Sequence, residues 1–187
     1  MGAGKSTALA ALERLGAATL STDEVVHELY GRDALRDALV ERWGAEVVRG
    51  GVVDRAGVAA RAFSDERERA WLEATLWPLV GTEMVAWLER VRALPPGKAP
   101  RAAVAEVPLL FESGMEGAFD ATIAVVSAED LRRERAATRG HALEDERAAR
   151  QLPQDEKARR ATYVVRNDGS TAELERELSA VLDKLSR

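Results

Sequence analysis

Apolar and polar positions in this chain follow two periods, and the switches between them mark out the elements. From Lys5 onward Leu9, Leu12 and Leu15 share one helical face, and Gly16 predicts the helix end. Ala17–Leu20 reads as a short buried strand. Ser21 with Glu24 three residues later has the form of a capping box, so a helix is expected from there to about Tyr30. Asp33–Trp43 is a second helical stretch, Gly50-Gly51 a turn, and Asp54–Phe63 helical again, with Val58, Ala59 and Ala62 inward. Arg67–Arg90 carries an apolar stripe of Trp71, Leu72, Leu76, Leu79, Val80, Met84 and Trp87, broken by Pro78. Core packing accounts for Trp71 and Trp87 without invoking a ligand. No good strand falls between about Arg32 and Arg92, which predicts a helical insertion over 32–92 between two strands of a main sheet. Leu94–Pro100 is a loop.

The pattern then changes. Ala102–Val107 and Ala121–Val126 are nearly continuously apolar, as parallel strands covered on both faces should be. Ser127 caps a helix bearing Arg132, Arg133, Arg135 and Arg139, which Gly140-His141 breaks. A charged helical stretch runs to about Gln151, followed by Pro153–Ala161 and a last strand at Tyr163–Val165. Ser170 with Glu173 opens a final helix whose inner face is Leu174, Leu178, Val181, Leu182 and Leu185. Strand and helix alternate, so the class is α/β: one domain over 1–187, built on a parallel sheet with right-handed crossovers.

Composition narrows the function. At 187 residues and 46% hydrophobic content the chain can bury a proper core. A net charge of −5 gives no bulk attraction to nucleic acid or anionic membrane, so neither is expected as a partner. There is no cysteine, which excludes disulfides, thiolate metal sites and cysteine nucleophiles. No apolar run approaches the roughly 20 residues of a membrane span, and no signal peptide is visible, so a cytoplasmic protein is expected.

The first chemical signal is Gly2-Ala3-Gly4-Lys5-Ser6-Thr7, leading into a helix. It matches the second half of a P-loop, G-x-x-x-x-G-K-[ST]. Backbone N–H groups of such a loop wrap phosphates, its Lys reaches the outer phosphates, and its Ser hydroxyl holds Mg²⁺. A frayed glycine-rich terminus is the competing reading. The first Gly of the pattern would lie upstream of Met1. So would the strand that normally fills the centre of a P-loop sheet, and a reading frame that starts earlier is expected.

The second signal is basic. Arg132, Arg135 and Arg139 recur at spacings of three and four, and with Arg147, Arg150 and Lys157 they surround a lid-like segment over 140–160. Cations on a closing lid stabilise charge on a transferred phosphoryl group. A solvated helix balanced by Glu129, Glu134 and Glu144 is the alternative. Asp23, just past a strand's carboxyl end, is either a ligand-facing acid or a complement to the helix dipole. His27 and His141 are not spaced as a metal pair.

These pieces, with Asp54-Arg55, Ala62-Phe63, Leu72-Glu73, Pro78-Leu79-Val80, Val107-Pro108-Leu109-Leu110-Phe111-Glu112, Gln151, Lys157 and Asn167-Asp168-Gly169-Ser170, give the chain a clear similarity to known enzymes. It resembles the dephospho-CoA kinases over essentially its full length. The resemblance implies a P-loop sheet of about five strands. It implies transfer of the ATP γ-phosphate to the ribose 3′-hydroxyl of dephospho-CoA, with ATP and Mg²⁺ required. By the same resemblance Asp23 is the general base, and Lys5 and the amides of Gly2–Thr7 hold the phosphates. Ser6 is the metal ligand, Arg139 meets the transferred charge, and Asn167 lies near the adenine. Arg55, Trp77 and Arg135 become candidate substrate contacts, and the protein is expected to be a monomer or weak homo-oligomer. Ser21, Trp77 and Thr162 depart from the family's usual Asp, His and Asp. A non-catalytic CoA- or nucleotide-binding relative, or another small-molecule P-loop kinase, are the other readings.

Overall fold

The computed structural model describes residues 2–137 and 151–185. The chain forms two compact units, one of residues up to Thr19 together with Pro95 onward, the other Leu20–Leu94. Each has its own core, and the architecture is α/β.

In the first unit α1 (Lys5–Arg14) leads through Gly16, at a φ of 91°, into β1 (Ala18–Ser21), whose last two residues are counted with the second unit. Only glycine adopts that turn without strain. β1 pairs with β4 (Ala103–Glu106), beginning with the Ala18 N–H donating to Ala102 O at 2.9 Å. β5 (Ile123–Val126) pairs in parallel with β6 (Tyr163–Arg166), Ile123 opposite Tyr163 and Val126 opposite Arg166. Between the two pairs lies a cavity of about 110 Å³, lined by Lys5, Leu9, Leu12, Val104, Glu106 and Ile123 among others.

Among the described residues this unit also holds the α-helices α6 (Glu129–Ala137), α7 (Gln154–Arg160) and α8 (Thr171–Leu185). The heptad-like face of α8 buries Leu174, Leu178, Val181 and Leu182 against Ala8, Ala11 and Leu12 of α1 and Val165 of β6. Ser170 and Glu173 exchange hydrogen bonds at its start, the expected capping box: the Glu173 N–H donates to Ser170 Oγ and the Ser170 N–H to Glu173 Oε2.

The second unit holds α2 (Thr22–Leu29), α3 (Asp33–Trp43), α4 (Arg55–Ser64) and α5 (Glu66–Arg92). Their apolar faces meet in a core of Val25, Leu29, Leu35, Leu39, Trp43, Val58, Ala62 and Val80. Trp71 packs edge-on against Trp43 with ring centroids 5.1 Å apart. Trp87 is only half-buried and lies outside that core.

Two expectations fail here. α5 runs unbroken through Pro78. Both halves of the helix pack on one core, through Trp71, Leu72 and Leu76 before the proline and Leu79, Val80 and Met84 after it. That shared burial outweighs the roughly 3 kcal/mol a helical proline costs. The region is also not strandless. β2 (Val48–Arg49) and β3 (Val52–Val53) form an antiparallel hairpin. Gly50 and Gly51 take φ of 58° and 82°, the two positive values a tight two-residue hairpin needs.

Candidate active site

The P-loop is built by two left-handed glycines. Gly2 has φ 74° and Gly4 φ 88°, and Gly4 is the N-cap of α1. A Cβ on Gly2 would sit 2.5 Å from the carbonyl oxygen of Arg132, and one on Gly4 would strike the Asn167 side-chain amide. Both positions therefore require glycine. The first helical hydrogen bond of α1 is Ala8 N–H to Gly4 O, at 2.9 Å. The amides of Lys5, Ser6 and Thr7 precede it. No side chain caps this terminus, and no acid stands in its first turn. Those amides and the helix dipole together favour an anion.

Lys5 Nζ lies 3.9 Å from Glu106 Oε1, with the glutamate side chain only 13% exposed and the lysine 39%. Glu106 ends β4, so the apolar strand delivers a carboxylate beside the loop. Sequence reading passed over Glu106. Its signal was there, as one acid closing an otherwise apolar strand two residues before Pro108.

Asn167 is 7% exposed and faces the loop backbone, where its Nδ2 donates to Ala3 O at 2.9 Å. Its own carbonyl accepts from Ser127 Oγ and from Arg135, both at 3.0 Å. Asp168 Oδ1 accepts the Ala128 N–H at 2.6 Å, and that bond holds its carboxyl below the ordinary range. Arg135 is thus engaged with the ends of β5 and β6. Arg139, His141, Arg147 and Arg150 lie outside the described residues.

A second charged cluster fastens α7 to the loop after β4. Lys157 Nζ stands 2.8 Å from Glu112 Oε1, which also accepts the Leu152 N–H at 2.8 Å. Burial pushes the Glu112 carboxyl up, but these two bonds outweigh it and the group sits below its ordinary value. Arg160 pairs with Glu116 and lies over the Phe111 ring.

Asp23, Arg55 and Trp77 belong to the other unit. Asp23 is exposed in the first turn of α2, two residues past the end of β1. Ser21 caps this helix, its Oγ accepting the Glu24 N–H at 3.4 Å. Asp23, His27 and Tyr30 recur at spacings of four and three, one side of a helix. Arg55, at the start of α4, meets His27 Nδ1 at 2.5 Å and lies 6.0 Å from the Tyr30 ring centroid. His27 is exposed. Trp77 is half-buried in α5, immediately before Pro78.

Known proteins are similar to this chain in sequence and fold. A family model described as CoaE, dephospho-CoA kinase, matches residues 1–173. A dephospho-CoA kinase of Deinococcus radiodurans is 38% identical over 188 residues, covering 99% of this chain and 88% of its own length. The crystal structure of TT1252 from Thermus thermophilus superposes with a TM-score of 0.81 at 35% identity, covering 100% of this chain and 94% of that one. A dephospho-CoA kinase from Campylobacter jejuni shares the fold, with a TM-score of 0.70 at 22% identity over 100% of this chain and 93% of that chain.

Proposed function

The chain belongs to the dephospho-CoA kinase family, and from that premise we propose that its own P-loop and Asp23 carry γ-phosphoryl transfer from ATP to the ribose 3′-hydroxyl of dephospho-CoA. The observation that carries this reading is the uncapped start of α1 with Lys5 beside it. Six residues there, Gly2–Thr7, supply backbone donors, a cation and a hydroxyl in the order that triphosphate binding needs.

The amides of Gly2–Thr7 bind the phosphates, and Lys5 exchanges Glu106 for the outer phosphate oxygens. Asp23 accepts the 3′-hydroxyl proton as that oxygen attacks the γ-phosphorus. The bond from the γ-phosphorus to the bridging oxygen breaks, and ADP leaves with that oxygen's electrons. Arg139 is assigned to the charge on the transferred group. Arg55 and Trp77 are assigned to dephospho-CoA, and Asn167 to the ATP side of the site.

The Ser6 hydroxyl and the Glu106 carboxylate are hard oxygen donors of the kind Mg²⁺ takes. Among the described residues no three acidic or histidine side chains gather into a metal cage. Mg²⁺ in phosphate sites keeps waters and phosphate oxygens as most of its ligands. Bound there, Mg²⁺ would offset phosphate charge. The reading places the reaction in the cytoplasm, and no described helix is long and apolar enough to cross a membrane.

The test is incubation with ATP and dephospho-CoA, following ADP release and the gain of one phosphoryl group by mass spectrometry. Adenosine and shikimate serve as competing acceptors. Transfer to dephospho-CoA alone is expected. ATP binding without transfer would make the chain a nucleotide-binding relative, and preference for another acceptor would make it a different small-molecule kinase.

A further inference from the structure

The ends of β5 and β6 are bolted together. The Asn167 N–H donates to Val126 O at 2.8 Å, and Ser127 Oγ donates to Asn167 O at 3.0 Å. Ser127 is 5% exposed and Asn167 7%, so both groups are shut away from water. From this node Asn167 Nδ2 reaches Ala3 O in the P-loop. On its other side the node is gripped by α7. Gln154 Oε1 accepts the Ser127 N–H at 3.0 Å while Gln154 Nε2 donates to Ser127 O at 2.8 Å. A side-chain amide laid against both polar groups of one residue fixes direction as well as distance. An unbroken line of hydrogen bonds therefore runs from Gln154 through Ser127 and Asn167 to Ala3. Arg135 of α6 joins the same node, donating to Asn167 O and, at 3.3 Å, to Ser127 Oγ.

We propose that Gln154 is a positioning residue for ATP, setting the P-loop backbone through Ser127 and Asn167. The proposal rests on the P-loop being the ATP site. Its physical basis is that loop amides bind phosphate only when aimed together, and the Ala3 carbonyl has Asn167 as a fixed donor. If the Ser127 peptide shifts, Asn167 shifts with it, and the Ala3–Gly4 peptide loses its support. Gln154 bonds both polar groups of Ser127 and reaches the loop through Asn167, so its effect is expected on ATP.

The experiment uses the full chain with Gln154→Ala, Gln154→Glu, Asn167→Asp and the Gln154→Ala/Asn167→Asp pair. ATP affinity is measured by titration calorimetry, KM by steady-state kinetics for both substrates, and folding by thermal midpoint. Gln154→Glu keeps the side-chain size and turns one donor into an acceptor, so it serves should Gln154→Ala fail to fold; Asn167→Asp does the same at the loop. Each single variant should weaken ATP binding by roughly ten-fold, the effect of one buried hydrogen bond. KM for dephospho-CoA should stay at the wild-type value. The double variant should bind ATP no worse than Asn167→Asp alone, because both act on one line.

A folded Gln154→Glu protein with wild-type ATP affinity overturns the proposal, as do effects that multiply in the double variant. A lowered thermal midpoint with unchanged ATP affinity makes Gln154 merely structural and also overturns it. Wild-type protein that binds ATP without transferring phosphate would sink the kinase reading while leaving the calorimetric result for Gln154 decisive. Wild-type protein that ignores ATP overturns both.

Discussion

Lys5 of the P-loop is held by Glu106 at the end of β4, Nζ to Oε1 at 3.9 Å. Without nucleotide the ammonium has a partner that keeps it beside the loop. When ATP enters, its phosphates take the lysine and bring negative charge beside the carboxylate. A bound cation offsets that repulsion, so Glu106 should tie ATP binding to Mg²⁺. Glu106→Gln is expected to strengthen Mg²⁺-free ATP binding and to lower turnover by about 10–100-fold, the usual cost of losing a carboxylate that orients a metal site. ATP titrations with and without Mg²⁺, set against kcat, check this. Equal turnover would separate Glu106 from the metal.

Gly4 is predicted to be irreplaceable. Its φ of 88° is left-handed, and a Cβ there meets the Asn167 amide, which is itself tied to Ala3. Gly4→Ala therefore strains the backbone and breaks the brace together. A loss of about 2 kcal/mol in ATP binding, roughly 30-fold, is expected. Calorimetry reads it directly.

The Glu112–Lys157 pair should give the protein an acid limb. In the folded chain the Glu112 carboxyl is depressed below its ordinary value of 4.5. A depressed carboxyl adds stability that is fully present above the unfolded value and is lost as pH falls through the lower, folded one. Thermal midpoints should thus be level near neutrality and fall below pH 4.5. Glu112→Gln should lower the neutral midpoint and flatten that fall. An unchanged acid limb would assign it to other carboxylates.

Leu178 is fully buried where α8 meets α1 and borders the cavity between β4 and β5. Leu178→Ala should cost about 2–5 kcal/mol. The existing cavity leaves little that can collapse into the new space, which favours the upper part of that range. Urea unfolding followed by circular dichroism measures it.

The sequence made some of this plain, for identifiable reasons. The helix faces of α1 and α8 were legible because Leu12 and Leu178 each sit in a long run of one period. The two caps at Ser21 and Ser170 were legible because capping is local chemistry. The β2–β3 hairpin was missed because two-residue strands carry no period; only Gly50-Gly51 betrayed it. The continuity of α5 through Pro78 was missed because the core that overrides the proline is tertiary.

The site shows the same division. The P-loop residues are contiguous and could be read. The partners of that loop, Glu106 and Asn167, lie 101 and 162 residues beyond Lys5 and are joined to it only by folding. The resemblance assigns Asn167 to the adenine side, and its amide also donates to the loop backbone, a bond with no local sequence signal. The grip of Gln154 on Ser127 had no sequence signal, since a lone glutamine at a helix start suggests nothing about a backbone elsewhere.

The central claim is that the P-loop holds ATP while Asp23 deprotonates the acceptor. Turnover and ATP affinity of Asp23→Ala, measured side by side with wild type, test it most directly. The account predicts kcat lower by roughly 10²-fold or more, the contribution of a general base, with ATP affinity nearly unchanged. Turnover equal to wild type would contradict it.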